Sequence, residues 1–153
     1  MSHLPSQSKY GKWLLLSLLV TTVTTNLPAT AHKVEISKDV GGTLHIEPND
    51  SPQAGKAALT WVALTRKGGQ VIPLGQCNCQ LAVYAEPRQG SSPMMQPPLK
   101  AVSSEGYKGI PGAEIVFPKA GAYQLELKGT PKAGASFKPF VLNFKVTVAS
   151  GTR

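Results

Sequence analysis

The chain of 153 residues carries 16 Lys and Arg against 8 Asp and Glu, a formal net charge of +8, and two cysteines. This length suits a single domain with an ordinary core, and so few cysteines exclude a small disulfide-rich scaffold. In a cytosolic protein, an excess of basic residues would favour nucleic-acid binding. Here the lysines are spread along the chain, and the N-terminal segment predicts export. We therefore expect no nucleic-acid partner.

Residues 1–31 show the three zones of a secretory signal peptide. A segment with two lysines precedes an apolar run at 13–20, and the small residues Ala29-Thr30-Ala31 form a cleavage site. The apolar run is much shorter than the roughly 20 residues that span a bilayer. We predict removal of 1–31, a periplasmic or secreted location without a retained membrane anchor, and a mature chain of net charge +6 that begins at His32.

The mature chain is predicted to be all-β, with an antiparallel β-sandwich of seven or eight strands over 32–149 and a tail at 150–153. Short β-branched or aromatic runs alternate with Gly, Pro, Asn and Asp, without a helical period. Tyr123, Leu125 and Leu127 share one face of a strand, which we expect to pack on Trp61. The predicted strands are 33–37, 43–47, 57–65, 70–73, 79–85, 113–117, 122–128 and 141–149, with an exposed loop at 88–98.

Several segments of the mature chain resemble those of known exported proteins. These are HIEPNDSPQAG, WVALTRKGGQVIP, CQLAVYAEP, IVFPKAGAYQLELKG and FVLNFKVTV. Their order is similar to that of YtkA-like domains and of the related CopC-like copper proteins, over most of residues 32–149. The resemblance implies an immunoglobulin-like β-sandwich and copper ligation by a mature N-terminal histidine, which here is His32. The Asp-x-His element of many such sites has no match in this chain.

His32 and His45 are the first candidate metal ligands. A chain that begins at His32 offers its α-amine and its imidazole Nδ1 to one ion. Glu47 lies two residues after His45 and so points to the same face of the strand. Nitrogen donors with a carboxylate suit Cu(II). A turn at Gly41-Gly42 would pair residues whose numbers sum to about 80, which puts His32 beyond the partner of His45. Two surface histidines without a metal are the alternative.

Sulfur atoms form the second candidate site. Cys77 and Cys79, with Met94 and Met95, make a soft donor set that suits Cu(I). On an extended strand the two cysteine Cα atoms lie about 6.6 Å apart on one face. A disulfide brings the Cβ atoms to about 3.8 Å, so a bridge requires a kink in the strand. A local disulfide, a redox-active pair and two inert thiols are the alternatives.

We expect no enzyme, because a Ser or Cys nucleophile would depend on His45, and the sequence contains no nucleophile elbow and no phosphate-binding glycine loop. The predicted function is an exported binding protein that holds or transfers copper. The alternative is a structural or interaction module of the cell envelope without metal. Such a module would contact an envelope protein or an anionic surface through its basic face, in a salt-sensitive way.

Overall fold

The computed structural model describes residues 32–151, so the predicted signal peptide and the last two residues lie outside it. Within these residues, eight strands form two sheets, and paired strands run antiparallel. The sheet orders are β1-β2-β3-β6-β5 and β4-β7-β8. The strands are β1 Lys33–Ser37, β2 Val40–Ile46, β3 Ala57–Arg66, β4 Cys77–Ala85, β5 Lys100–Ser104, β6 Tyr107–Val116, β7 Gly121–Pro131 and β8 Phe140–Val148. The predicted all-β sandwich is confirmed.

The strand order is that of a constant-type immunoglobulin domain with one strand added. Strands β2-β3-β6-β5 correspond to A-B-E-D and β4-β7-β8 to C-F-G, and β1 is the additional strand beside β2. A tyrosine corner marks the start of β7, where the hydroxyl of Tyr123 donates a hydrogen bond to the Lys119 carbonyl at 2.8 Å. Within residues 32–151, no helix is long and apolar enough to cross a lipid bilayer.

The core lies between the two sheets, as the alternation predicts. Tyr123, Leu125 and Leu127 are buried there, and every second residue of β8 joins them. Trp61 does not, which corrects the prediction. It lies on the outer face of the five-stranded sheet with Ala63 in a second apolar cluster, because side chains alternate along β3 and its neighbour Val62 takes the inward position.

Two predicted elements differ from the structure. The segment 70–73 makes only an isolated bridge, Thr65 to Val71, because glycines precede it and Pro73 ends it. Strand β5 was not predicted, since Lys100–Ser104 contains a single β-branched aliphatic residue, Val102, and lies at a sheet edge. The predicted loop at 88–98 contains no strand and is mostly exposed.

The register of β1 on β2 also differs from the prediction. Lys33 pairs with Leu44 and Ser37 with Val40, because the turn lies at Lys38 and Asp39 and not at the two glycines. Gly42 belongs to the strand, where a Cβ would lie 2.5 Å from a methyl carbon of a β8 leucine. Paired residue numbers sum to 77, so the predicted sum of about 80 is wrong. Extended by one residue beyond the Lys33–Leu44 pair, this register sets residue 32 opposite residue 45.

Candidate metal-binding site

A row of side chains crosses the outer face of the five-stranded sheet. His45 pairs with Trp61, and Trp61 pairs with Gly112. The His45 ring stacks on the Trp61 ring at 3.9 Å between centroids and 4° between planes. On the other side the His32 ring lies 4.4 Å from the His45 ring. The sheet thus brings together two histidines that are 13 positions apart in sequence.

His45 is held between aromatic rings and is largely removed from solvent. Its relative exposure is 7%, whereas His32 is exposed. Burial lowers the pKa of His45 below its ordinary value of 6.5, although the carboxylate of Glu105 opposes this shift. A neutral imidazole is the form that binds a metal ion, so burial favours the ligating form.

Asp50 supplies a carboxylate to the same place. It follows Asn49 in the turn after β2, and both residues have left-handed backbone angles, which Asn and Asp tolerate best after Gly. One carboxylate oxygen, Oδ1, accepts the backbone N–H of Ile46 at 2.6 Å. The other, Oδ2, lies 3.2 Å from His32 Nδ1. The turn therefore aims one oxygen of Asp50 at the histidine pair.

His32, His45 and Asp50 together form a group that could hold a metal ion. Each offers a ligand atom, and these atoms all lie within 4.8 Å of one another. Nitrogen and oxygen ligands lie about 2.0–2.2 Å from a bound zinc ion, so two of them are at most about 4.4 Å apart. A shift of a few tenths of an ångström, which the exposed His32 side chain can make, closes the remaining gap.

Glu47 shares the face of His45, and its carboxylate is hydrogen-bonded to two neighbouring side chains. Its Oε1 accepts hydrogen bonds from Trp61 Nε1 at 3.2 Å and from the Ser104 hydroxyl at 3.3 Å. Glu47 therefore fixes the ring on which His45 stacks and ties it to the β5–β6 turn. Glu105 follows in that turn and places its Oε2 3.7 Å from His45 Nδ1.

The sulfur atoms of the second candidate are not gathered around one point. Cys77 and Cys79 form a disulfide with each other, with their Cα atoms 5.2 Å apart, and in this form neither sulfur is the thiolate that binds metal. Met95 bridges to Val83, four residues further along β4 than Cys79, which is about 13 Å at the rise of a strand. Met94 is 42% exposed.

Sequence reasoning missed Asp50 and Glu105. Asp50 lies four residues after β2 and Glu105 directly after β5, and both lie in turns with a left-handed backbone. Asp50 lies five residues after His45, so the only sequence signal was an acidic turn residue close to a candidate ligand. Glu105 is 60 residues away from His45, and no local pattern connects the two.

No protein-family model matches the chain, and no curated protein matches it significantly. Among solved structures, the chain is similar to a DUF4426 family protein from Pseudomonas aeruginosa PAO1, with 15% sequence identity and a TM-score of 0.49. The alignment covers 76% of this chain and 95% of that one. This similarity concerns a β-rich fold alone, and the resemblance to YtkA-like and CopC-like proteins stays a prediction.

Proposed function

We propose that this small β-sandwich is an exported copper-binding protein whose Cu(II) site consists of His32, His45 and Asp50. The observation that carries the proposal is the approach of their three ligand atoms to within 4.8 Å of one another. In the mature chain that we predict, the α-amine of His32 adds a fourth donor. The proposal agrees with the resemblance to CopC-like proteins, in which a terminal histidine ligates copper.

The donor chemistry favours Cu(II) among the divalent metals. Imidazole, amine and carboxylate are intermediate to hard ligands, they suit tetragonal Cu(II), and copper is highest in the affinity order of the first-row divalent ions. An exposed ligand, His32, just before an edge strand suits a site that takes up and releases its ion. The function is therefore binding and transfer of the ion, without a chemical step.

The experiment is a Cu(II) titration of the chain 32–153, followed by fluorescence. Trp61 is the single tryptophan of that chain, because Trp13 belongs to the predicted signal peptide. A copper ion on His45 lies next to the stacked Trp61 ring and should quench its emission. We expect one equivalent to quench Trp61, and an equal concentration of Zn(II) to compete poorly. Tighter binding of zinc would contradict the assignment to copper.

Matched variants locate the site. Asp50→Asn keeps an oxygen that can accept the Ile46 N–H but removes the charged ligand, while Glu35→Gln removes the same charge from an exposed position of β1. We expect Asp50→Asn to weaken Cu(II) at least about tenfold, since even outer-shell partners contribute about 10–100-fold to affinity. Glu35→Gln should bind as the wild type does. Equal affinities for all three chains would disprove the site.

The contribution of the amine is tested separately, with a chain that retains Ala31. This chain keeps every side chain of the site and changes only the group attached to the His32 nitrogen. We expect weaker Cu(II) binding and one fewer directly bound nitrogen by electron paramagnetic resonance. An identical spectrum would limit the site to the three side chains.

A further inference from the structure

The β5–β6 turn reaches the candidate site from a distant part of the chain. Glu105 lies in this turn with a φ of 48°, and its Oε2 is 3.7 Å from Nδ1 of His45. The preceding residue, Ser104, donates its hydroxyl to Glu47, which also accepts from Trp61. Through Glu47, the turn is thus hydrogen-bonded to the Trp61 ring on which His45 stacks. The next residue of the turn, Glu105, lies beside the Nδ1 edge of the His45 ring.

A carboxylate beside one nitrogen of His45 bears on which of the two nitrogens is free. A neutral imidazole carries one proton, and the hydrogen bond that one nitrogen makes determines whether the other is available to a metal. Metal-bound histidines typically donate the remote N–H to a carboxylate or carbonyl. Glu105 is 59% exposed on its side chain, so a small torsional change shortens 3.7 Å to the roughly 2.9 Å of a hydrogen bond.

We propose that Glu105 is the positioning residue of the site: its carboxylate accepts the Nδ1–H of His45 and leaves Nε2 as the metal-binding nitrogen. The metal part of this inference rests on the proposed function. The tautomer does not, because it belongs to the metal-free protein. Trp61 holds the plane of the ring by stacking, and Glu105 selects which edge carries the proton.

The first experiment uses the metal-free chain 32–153 and long-range ¹H–¹⁵N correlation spectra, recorded at a pH where His45 is neutral. We expect a protonated Nδ1 and an unprotonated Nε2 for His45. In Glu105→Asn the shorter side chain no longer reaches the ring, while Asn tolerates the left-handed backbone. We expect this variant to shift His45 towards the Nε2–H tautomer, and Glu105→Gln, which keeps the length and an acceptor oxygen, to restore part of the Nδ1–H form.

The second experiment uses the copper-bound chain. We expect Glu105→Asn to weaken Cu(II) binding about 10–100-fold and to change the quadrupole signal of the remote His45 nitrogen in pulsed electron paramagnetic resonance. Glu105→Gln should lie between this variant and the wild type, and Glu35→Gln should match the wild type. A purely structural role for Glu105 would lower stability without moving the remote-nitrogen signal.

The two proposals fail in different ways. A wild-type chain that does not bind Cu(II) overturns the proposed function, whereas the tautomer of His45 still decides the inference about Glu105. A wild type with Nε2–H at His45, or a tautomer that Glu105→Asn leaves unchanged, overturns that inference even if copper binds. Nδ1–H in the wild type together with its loss in Glu105→Asn supports it.

Discussion

At the scale of single residues, His45 combines burial with several neighbouring charges. Burial is the largest influence on its pKa and lowers it; His32 lowers it further, while Glu105, Asp50 and Glu47 raise it. The net effect is a folded state that resists protonation of this imidazole. His45 is therefore an imidazole that its surroundings keep neutral, at the expense of stability in acid.

This shift predicts how stability depends on pH. Below the ordinary pKa of about 6.5, the unfolded chain takes up a proton that the folded chain resists, so the free energy of unfolding decreases as the pH falls. We expect the wild type to lose more stability than His45→Gln between about pH 7 and pH 5, by denaturant unfolding at each pH. His32→Gln is the control and should keep most of the dependence. Parallel curves for wild type and His45→Gln would refute this explanation.

At the scale of elements, β1 is held in an unusual way. None of its residues is buried, and Val34 and Ile36 are 60% and 76% exposed. The strand is attached by its ladder to β2, by the Val141 N–H that donates to the Ser37 hydroxyl at 3.3 Å, and by Lys33, which donates to a β8 carbonyl. Because hydrophobic burial contributes so little, the position of His32 depends on the alignment of β2.

Substitutions at two adjacent glycines of β2, Gly41 and Gly42, test whether the position of β2 depends on close packing against the other sheet. A Cβ on Gly42 would lie 2.5 Å from Leu142 Cδ1 and 3.0 Å from Val62 Cγ1, whereas a Cβ on Gly41 meets its nearest neighbour, Thr65 Oγ1, at 3.6 Å. We expect Gly42→Ala to lower the free energy of unfolding by about 1–3 kcal/mol, the usual cost of overpacking. Gly41→Ala should change it by less than about 0.5 kcal/mol. If denaturant unfolding gave equal losses for the two variants, the close approach of the sheets at Gly42 would not explain the loss of stability in Gly42→Ala.

At the scale of the whole molecule, the candidate site and the disulfide lie towards opposite ends of β3. The loop with Asp50 precedes β3, while Cys77 follows the short segment that leaves its far end. A bond between residues two apart closes a loop of only three residues, which restricts the unfolded chain little. The disulfide should therefore neither dominate stability nor influence the candidate metal site.

We expect reduction of the Cys77–Cys79 bond to lower the free energy of unfolding by only about 1–2 kcal/mol, from the loop-entropy relation. Denaturant curves of the oxidised and reduced chains measure this difference. In parallel, the double variant Cys77→Ala/Cys79→Ala should bind Cu(II) with unchanged affinity at the histidine site. A large loss of copper affinity would connect the sulfur atoms to that site, and a much larger loss of stability would make the bond a main support of the fold.

The sequence was sufficient to predict the sandwich and part of the site. Alternating side chains determine which face of a strand is buried, as Tyr123 and Leu125 show, and this pattern is local. His32 and His45 were identified as candidates from the residue types and from the position of the predicted cleavage. The seven strands that were found show β-branched or aromatic residues, or, in β7, a clear alternation of apolar and polar residues. Strand β5 shows neither feature and is formed through its pairing with β6.

What joins these residues into one site depends on the tertiary structure. The turn at Lys38 and Asp39 sets the register that brings His32 opposite His45, and a slip of one residue would turn every side chain of β1 to the other face. The approach of Glu105 depends on a pairing between strands far apart in sequence. The amino-acid sequence by itself determined the fold class and the donors, because both follow from local pattern and side-chain chemistry; only the tertiary structure decided which donors meet, because register and long-range contacts arise when the sheets pack.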